Sequence, residues 1–276
     1  MNFLRFEDVS FSYPPTEGDI DQDGRQIQPP AIFDHFNAQL PFGFVHLVGP
    51  NASGKSTFML LASGRVLPKA GGVFLLNQDT RALTQESRDE LASYVYQNME
   101  LETDQNTGAL LEWVYQNGKL CGSASGVLDP SKNFIDEVKE VFEVQDLTDK
   151  KFSALSKGQL QRGLTALALL YGSKSIFMDE PFFAMEEKQK EAALKYLKEY
   201  SAATCVSIYI SMHDLDLTKK YADTVMLFYP NHDIDLGTVD EVLADEALEK
   251  AYGVPVSMLR QSEELSREQI ARRLNF

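Results

Sequence analysis

One nine-residue segment constrains the fold of this chain more than any other feature. Gly49 to Thr57 reads GPNASGKST, which fits the pattern GxxxxGK[ST]; it follows the apolar segment FVHLV and continues into the helical pattern STFMLLASG. A strand before the motif and a helix after it are the context that a phosphate-binding loop requires. A chance match in a chain of this length is expected roughly once in a hundred, and the flanking elements make a plain Gly-rich turn rarer still.

The residue types of this segment suit a nucleoside triphosphate. Its glycines allow backbone N–H groups to turn around a β-phosphate at the start of a helix. Lys55 supplies a positive charge to the β- and γ-phosphates, and the hydroxyl of Ser56 can coordinate Mg²⁺. We therefore predict a nucleotide site made of Gly49, Pro50, Asn51, Ala52, Ser53, Gly54, Lys55, Ser56 and Thr57.

The apolar pattern predicts two kinds of sheet. Phe3 to Tyr13 alternates apolar and polar residues, and Phe36, Ala38 and Leu40 do the same, as half-buried antiparallel strands do. Short apolar runs then alternate with helical patterns, which indicates an α/β domain with a mainly parallel sheet. These runs are Phe44 to Val48, Val73 to Leu76, Tyr94 to Tyr96, Ile176 to Met178, Val206 to Ile210 and Val225 to Phe228.

The middle and the end of the chain have helical patterns. Strand signals are absent from Asn98 to Leu155, and helical patterns recur from Asp240 to Tyr252 and from Ser262 to Leu274. The acidic stretch from Pro14 to Pro30 has no periodicity and is predicted to be an exposed loop. We predict a single domain over 1–276, with a nucleotide-binding core of 1–97 and 156–230, a helical subdomain of 98–155 and a helical tail of 231–276.

Charge and cysteine content exclude several classes of function. Lys plus Arg number 26 against 41 Asp plus Glu, and the net charge of −15 opposes attraction to nucleic acid or anionic lipid. The start of the chain lacks signal-peptide features, and no apolar run approaches the roughly 20 residues that span a bilayer. We therefore expect a cytosolic protein with no nucleic-acid partner. Cys121 and Cys205 are far apart and suggest neither a disulfide framework nor a thiolate metal site.

Two further motifs lie in the second half of the chain. The apolar run in SIFMDEP is predicted to be a buried strand that delivers Asp179 to the Mg²⁺ side of the phosphates, with Glu180 placed to polarise the attacking water. By itself this acidic pair is as consistent with a surface turn. Just upstream, the sequence LSKGQLQR opens a helical pattern, and Ser156 is predicted to cap that helix.

Taken in order along the chain, these motifs resemble those of the ABC ATPases, with LSKGQ in place of the usual LSGGQ. The resemblance extends over residues 1 to about 260. It implies that Tyr13 stacks on adenine, that Gln97 touches Mg²⁺ and joins the core to the helical subdomain, and that His213 contacts the γ-phosphate. Glu180, His213 and Gln97 are then the expected catalytic residues, and Ser56, Gln97 and Asp179 the expected Mg²⁺ ligands. The remaining histidines, His35, His46 and His232, are assigned structural roles.

The resemblance also implies that the active unit is a head-to-tail dimer, of this chain with itself or with a paralogous subunit. Ser156, Lys157, Gly158 and Gln159 would lie at the γ-phosphate bound by the opposite protomer. ATP would therefore be needed for closure of the dimer. Hydrolysis of MgATP would reopen it and drive a separate transmembrane permease, which would hold the protein on the cytoplasmic face of the cell membrane.

Two departures from the family pattern lie close to this chemistry. Lys157 replaces a signature glycine, and its ammonium could either point at the opposite γ-phosphate or extend into solvent. The segment that usually reads close to SALD is here Phe183, Ala184, Met185 and Glu186, which changes the hydrogen bonds expected across the dimer. Hydrolysis is still expected, because Glu180 and the Mg²⁺ ligands are present.

Three interpretations compete at this level. The first is the ATPase subunit of a transporter, because one nucleotide domain without a membrane span needs a partner. The others are a soluble ABC protein outside transport and a catalytically weak regulatory module. Only about a hundred residues separate Lys55 from Ser156, too few for the long coiled coil of chromosome-maintenance relatives.

The tail gives one indication of cargo. GTVDEVLADEALEKAYGVPVSML resembles the closing segment of ATPases from importers of iron siderophores, haem, vitamin B12 and metal ions. A generic amphipathic helix pair and an energy-coupling-factor importer, the latter suggested by FSYP and YQN, are the alternatives. We therefore expect an importer of a metal chelate, a metal or a cofactor.

Overall fold

The computed structural model describes residues 3–16, 18, 20, 26–99 and 101–259. The described residues form two compact units. The first unit consists of residues 1–42 and 56–88, and the second of residues 43–55 and 89–276, each to the extent described. The helix predicted from Ser262 to Leu274 lies outside the described residues.

The described residues contain ten strands and nine α-helices. The strands are β1 (Leu4–Phe11), β2 (Phe33–Leu40), β3 (Phe44–Val48), β4 (Ala70–Leu75), β5 (Gln78–Asp79), β6 (Ala92–Val95), β7 (Ser175–Asp179), β8 (Ser207–Ser211), β9 (Thr224–Phe228) and β10 (Ile234–Gly237). The helices are α1 (Lys55–Ala62), α2 (Gln85–Leu91), α3 (Thr107–Asn117), α4 (Phe134–Val141), α5 (Lys157–Tyr171), α6 (Glu187–Thr204), α7 (Leu215–Tyr221), α8 (Val239–Val242) and α9 (Asp245–Tyr252).

The first unit contains an antiparallel sheet in the order β2-β1-β4-β5. Phe6, Val9 and Phe11 of β1 lie in the interior, but the predicted alternation is interrupted by a register shift between Phe6 and Val9, where Asp8 has φ 52°. Phe6 stacks on Phe58 of α1 with ring centroids 4.7 Å apart. Burial of these aromatic rings anchors α1, the helix that begins inside the phosphate-loop motif, in the core of this unit.

One predicted strand belongs to a different sheet. The segment Val73 to Leu76 was expected in the α/β domain, but its residues Val73 to Leu75 belong to β4, which pairs antiparallel with β1. Gly71 explains the pairing. Its φ is +76°, and a Cβ there would collide with the backbone carbonyl of Asp8 in β1, so this close approach of the two strands needs a glycine.

The second unit contains a six-stranded sheet in the order β10-β9-β3-β8-β7-β6. All its pairings are parallel except that of β10 with β9, so a mainly parallel α/β sheet is confirmed. Every residue of β3 is buried, including His46 in the middle of its otherwise apolar sequence. Because the carboxyl ends of parallel strands lie at one edge of a sheet, the loop after Val48, the carboxylate of Asp179 and the hydroxyl of Ser211 come to the same edge.

The segment predicted to be helical packs on this sheet. Residues 98–155, as far as they are described, contain α3 and α4 and no strand. Leu111 of α3 and Phe134 and Val138 of α4 share one hydrophobic core with Ile176 of β7 and Ile208 of β8. None of the helices described is long and apolar enough to cross a membrane.

The predicted tail helix from Asp240 to Tyr252 is two helices, α8 and α9, separated by an extended Ala244 with ψ 146°. The interruption has a packing reason. Val242 and Leu248 are both buried in one core with Val225 of β9, yet in a continuous helix they would lie about 120° apart around the axis. The short strands β5 and β10 are absent from the prediction, because they lack an apolar run.

Candidate active site

The phosphate-loop motif connects β3 to α1 as predicted. Gly49 has φ +142°, and a Cβ there would lie 2.5 Å from the carbonyl oxygen of Phe228 at the end of β9. The base of the loop therefore needs glycine for both its conformation and its space. Lys55, the first residue of α1, is only 6% exposed, and its Nζ donates to the carbonyl oxygens of Gly49 at 2.8 Å and Pro50 at 2.9 Å.

The loop holds polar groups whose hydrogen-bonding capacity is incompletely used. An ammonium has three N–H donors, and the two carbonyl oxygens take two of those on Lys55. Burial lowers the pKa of Lys55, while the carboxylates of Glu180 and Asp179 act in the opposite direction. The hydroxyl of Ser53 is buried with no hydrogen-bond partner among the described residues. A buried cation next to an orphaned hydroxyl is what a bound phosphate would satisfy.

Two side chains of the second unit meet the carboxylate of Glu180. The Nε2 of Gln97, after β6, donates to Glu180 Oε2 at 2.6 Å. The Nε2 of His213, after β8, lies 2.6 Å from Glu180 Oε1 and must donate, because an ionised carboxylate only accepts. The structure therefore brings together the three residues predicted to be catalytic, which lie far apart in sequence.

The contacts around Glu180 keep it ionised. Burial by itself would raise the pKa of this carboxyl group. The hydrogen bond and charge of His213, with smaller contributions from Lys55 and Gln97, outweigh burial and hold the pKa of Glu180 below its usual value. Glu180 is thus a carboxylate at neutral pH, which is the form that can accept a proton from water.

Ser211 is a site residue that sequence reasoning missed. It ends β8 directly opposite Asp179 in the parallel ladder. Its hydroxyl donates to Asp179 Oδ1 at 2.6 Å and accepts from the backbone N–H of Glu180 at 2.9 Å. The second bond supports Glu180 in a left-handed conformation with φ 47°. The available signal was a polar residue at the end of an apolar strand, two positions before His213.

The signature segment, LSKGQ at residues 155–159, begins α5, and Ser156 caps that helix as predicted. Ser156 is the N-cap, and it exchanges hydrogen bonds with Gln159: its Oγ accepts from Gln159 N–H at 3.4 Å, and its own N–H donates to Gln159 Oε1 at 3.1 Å. A Cβ on Gly158 would collide with the carbonyl oxygen of Ala184. This glycine is therefore needed for α5 to approach the segment after Glu180. Lys157 is exposed.

Gln161, one turn into α5, connects this helix to the segment after Glu180, and the sequence analysis did not identify it. It is 5% exposed; its Nε2 donates to the carbonyl oxygen of Glu180 at 3.4 Å, and its Oε1 accepts from Ala184 N–H at 3.2 Å. In the segment that departs from SALD, Met185 is buried and Phe183 is 57% exposed. Helix α5 and the backbone from Glu180 to Ala184 are thus joined within one chain by a buried amide.

The first unit carries the other predicted nucleotide contacts. The hydroxyl of Tyr13 lies 3.1 Å from Thr57 Oγ1 in the first turn of α1, and its ring packs edge-on against Phe11. The ring of Tyr13 is 38% exposed, which leaves surface for stacking. Ser56, in the same turn of α1, is exposed.

Mg²⁺ bound with a nucleotide is held in proteins by one or two carboxylates and by the substrate phosphates. Asp179, the last residue of β7, offers one such carboxylate. No group of three or more His, Cys, Asp or Glu side chains within the described residues is arranged to hold a metal. The parts of Ser56 and Gln97 in holding Mg²⁺ stay predictions.

The remaining histidines differ in environment. His46 lies within β3, where burial lowers its pKa to about 3 with a smaller contribution from Lys198. His35 is exposed and pairs with Asp8. His232 lies against the phosphate loop, with its Nδ1 3.1 Å from the carbonyl oxygen of Ser53.

Comparisons with known proteins agree with this fold. Residues 33–183 match the family described as ABC transporter. The Cobalamin import ATP-binding protein BtuD of Halobacterium salinarum is 24% identical over 228 residues, 82% of this chain and 56% of that protein, so this chain spans little more than half of that relative. The Vitamin B12 import ATP-binding protein BtuD of Yersinia enterocolitica is 29% identical over 227 residues, 79% of this chain and 86% of that protein.

Solved structures show the same fold. The ATP binding subunit of an ABC transporter has a TM-score of 0.70 at 18% identity, covering 94% of this chain and 98% of that one. A dimeric, post-hydrolysis ATP-binding cassette bound to ADP and Pi has a TM-score of 0.68 at 21% identity, covering 86% and 98%. The predicted fold class is confirmed.

Proposed function

This chain belongs to the ABC transporter family, and on that premise we propose that it is the ATP-hydrolysing subunit of a transporter, working as a dimer and driving a separate membrane permease. The observation that carries the proposal is the carboxylate of Glu180, held between Gln97 and His213 at 2.6 Å from each. An ionised carboxylate fixed at the carboxyl edge of a parallel sheet, beside a phosphate loop, is suited to activating water.

The chain's own groups explain binding of ATP. The backbone N–H groups of the loop and the ammonium of Lys55 would contact the β- and γ-phosphates. Lys55 donates to two carbonyl oxygens of its own loop, and these hydrogen bonds hold its ammonium at the loop. The hydroxyl of Ser53 would gain the partner that it lacks. Tyr13 would stack on the adenine, and Thr57 holds the hydroxyl of that ring.

The hydrolytic step follows from the contacts of Glu180. Its carboxylate would orient water and accept its proton, and His213 would steady the γ-phosphate. Mg²⁺, held by Ser56, Gln97 and Asp179, would supply charge neutralisation at the phosphates. Ser211 keeps Asp179 and the backbone of Glu180 in register by bonding to both. The hydrogen bonds within one chain therefore preorganise the carboxylate of Glu180, which lowers the cost of reaching the transition state.

The signature segment supports a head-to-tail dimer. In one chain Ser156 Oγ accepts from Gln159 N–H, and a hydroxyl that accepts still has its own proton to donate. That proton, with the N–H groups at the start of α5, would contact the γ-phosphate bound by the partner. Because Gln161 joins α5 to the backbone of Glu180, closure of α5 on the partner's nucleotide would also affect the site that contains Glu180 of the same chain.

The cargo that we propose is a metal chelate taken up into the cell. The names of the curated relatives include importers of cobalamin, hemin and petrobactin, and the tail GTVDEVLADEALEKAYGVPVSML resembles the closing segment of importer ATPases. The protein would lie on the cytoplasmic face of the membrane, attached to its permease. Identification of the permease that co-purifies with this subunit from membranes, followed by uptake assays with cobalt and iron chelates, would separate this cargo from that of an energy-coupling-factor importer.

A phosphate-release assay with MgATP tests the enzymatic proposal. The intact chain should release phosphate, and Lys55→Ala should abolish release because the buried ammonium at the phosphates is lost. Lys188→Ala on the exposed face of α6 is the matched control and should keep the rate. A chain that binds ATP but releases no phosphate, alone or with its permease, would instead be a regulatory module.

A further inference from the structure

Two side chains from the C-terminal part of the second unit contact the backbone of the phosphate loop. The hydroxyl of Tyr252, the last residue of α9, accepts from the N–H of Gly49 at 3.1 Å. The Nδ1 of His232, in the turn between β9 and β10, lies 3.1 Å from the carbonyl oxygen of Ser53. These contacts occur at the first residue of the loop and near its end, so they bracket the N–H groups that would face the phosphates.

The hydrogen bond between His232 and the loop can have only one direction. A carbonyl oxygen only accepts, so Nδ1 must carry hydrogen and donate. His232 has φ +68°, a conformation that glycine adopts without steric cost and other residues adopt rarely. The turn is closed by the backbone N–H of His232 donating to the carbonyl oxygen of Tyr229. Glycine would fit this turn without steric cost, yet the residue here is a histidine whose imidazole contacts the loop.

The contact of Tyr252 is anchored by packing. Leu248 and Ala251 of α9 are buried in one core with Val225 and Leu227 of β9. The phenol is therefore held on a packed helix, and it satisfies the N–H of Gly49, whose close approach to Phe228 leaves no room for a side chain.

We propose that Tyr252 and His232 are positioning residues for nucleotide binding: they hold the phosphate loop at both ends, so that the C-terminal segment sets the affinity for nucleotide. This inference rests on the proposed function, since it requires that the loop binds ATP. Preorganisation of the loop lowers the ordering cost of binding. Loss of either contact should weaken every ligand that uses the loop, with or without a base, and leave the chemistry at Glu180 intact.

Calorimetric titration of the full chain with ATP, ADP and tripolyphosphate tests the proposal, together with steady-state kinetics. Tyr252→Phe removes only the hydroxyl, and His232→Gly removes the ring while relieving the left-handed backbone. Each should raise the Kd of all three ligands about three- to tenfold, as loss of one neutral hydrogen bond does. The KM for ATP should rise to the same extent, with kcat within twofold of the parent chain.

Tyr229→Phe is the matched control. Its hydroxyl bonds Asp235 in the same hairpin and does not contact the loop, so a merely structural role of the segment would make Tyr252→Phe and Tyr229→Phe equivalent. Equal Kd values for these two variants, or a fall in kcat at unchanged Kd, would overturn the inference. Should Tyr252→Phe fail to fold, His232→Gly decides the question alone. If the parent chain binds none of the ligands, the proposed function itself is wrong.

Discussion

Replacement of Tyr13 by Ala should weaken ATP binding while leaving triphosphate binding unchanged. The ring of Tyr13 is 38% exposed, and its hydroxyl lies 3.1 Å from Thr57 Oγ1. Stacking of a base on an aromatic ring contributes about 1–3 kcal/mol, so Tyr13→Ala should raise the Kd for ATP by about 5- to 150-fold. Tyr13→Phe keeps the ring and loses one hydrogen bond, so its effect should be about tenfold or less.

Calorimetric titration with ATP and with tripolyphosphate separates the two roles of this side chain. Tripolyphosphate has no base, so its Kd should be the same for the parent chain and for Tyr13→Ala. Phe42 supplies the matched control, because it lies in the same unit and is 39% exposed; Phe42→Ala should bind ATP as the parent does. Equal losses for ATP and tripolyphosphate would refute stacking and show that Tyr13 acts on the loop through Thr57.

Three further predictions concern other parts of the chain. A cation in the first turn of a helix opposes the helix dipole, so we expect the exposed ammonium of Lys157 to pair with an anion from the partner. In a hydrolysis-deficient background at low salt, Lys157→Gln should raise the protein concentration at the midpoint of ATP-dependent dimerisation about 5- to 150-fold. Equal midpoints would place the ammonium in solvent. Glu137 is 4% exposed and accepts from Tyr196 OH at 2.7 Å, so Glu137→Gln should lower the free energy of unfolding in urea by about 1–3 kcal/mol, and less than additively with Tyr196→Phe. The contact with His213 is the strongest influence that lowers the pKa of Glu180. His213→Asn should therefore raise that pKa, and the acid limb of the pH profile for single-turnover hydrolysis should move to higher pH. An acid limb at the same pH would contradict the pairing of His213 with Glu180.

The sequence predicted best those elements whose residues form a pattern within a short segment of the chain. The mostly apolar segment FVHLV before the phosphate loop forms β3, and Ser156 caps α5 with Gln159 three residues later. Gln97 and His213 were identified by resemblance alone, and the sheet brings them to Glu180 because their strands β6 and β8 both flank β7. Their predicted roles in catalysis remain predictions.

The features that the sequence did not reveal depend on contacts between segments that lie far apart along the chain. Ser211 matters because β8 pairs with β7 in a register that places it opposite Asp179. Gln161 lies on an ordinary amphipathic helix, and His232 was assigned a structural role because a lone histidine in a turn carries no local sign of its neighbour. The segment Val73 to Leu76 looked like any α/β strand, since short apolar runs do not specify their pairing partner.

The most direct test of the account is Glu180→Gln, because the amide keeps the shape of the side chain and removes the charge that accepts a proton. ATP affinity should be retained, phosphate release should fall by about 100-fold or more, and size exclusion should show a dimer with ATP and a monomer with ADP. Glu191→Gln, whose carboxylate pairs with Lys220 on the surface, should release phosphate at the parent rate. If Glu180→Gln also turned over ATP at the parent rate, the assignment of Glu180 as the hydrolytic carboxylate would be wrong.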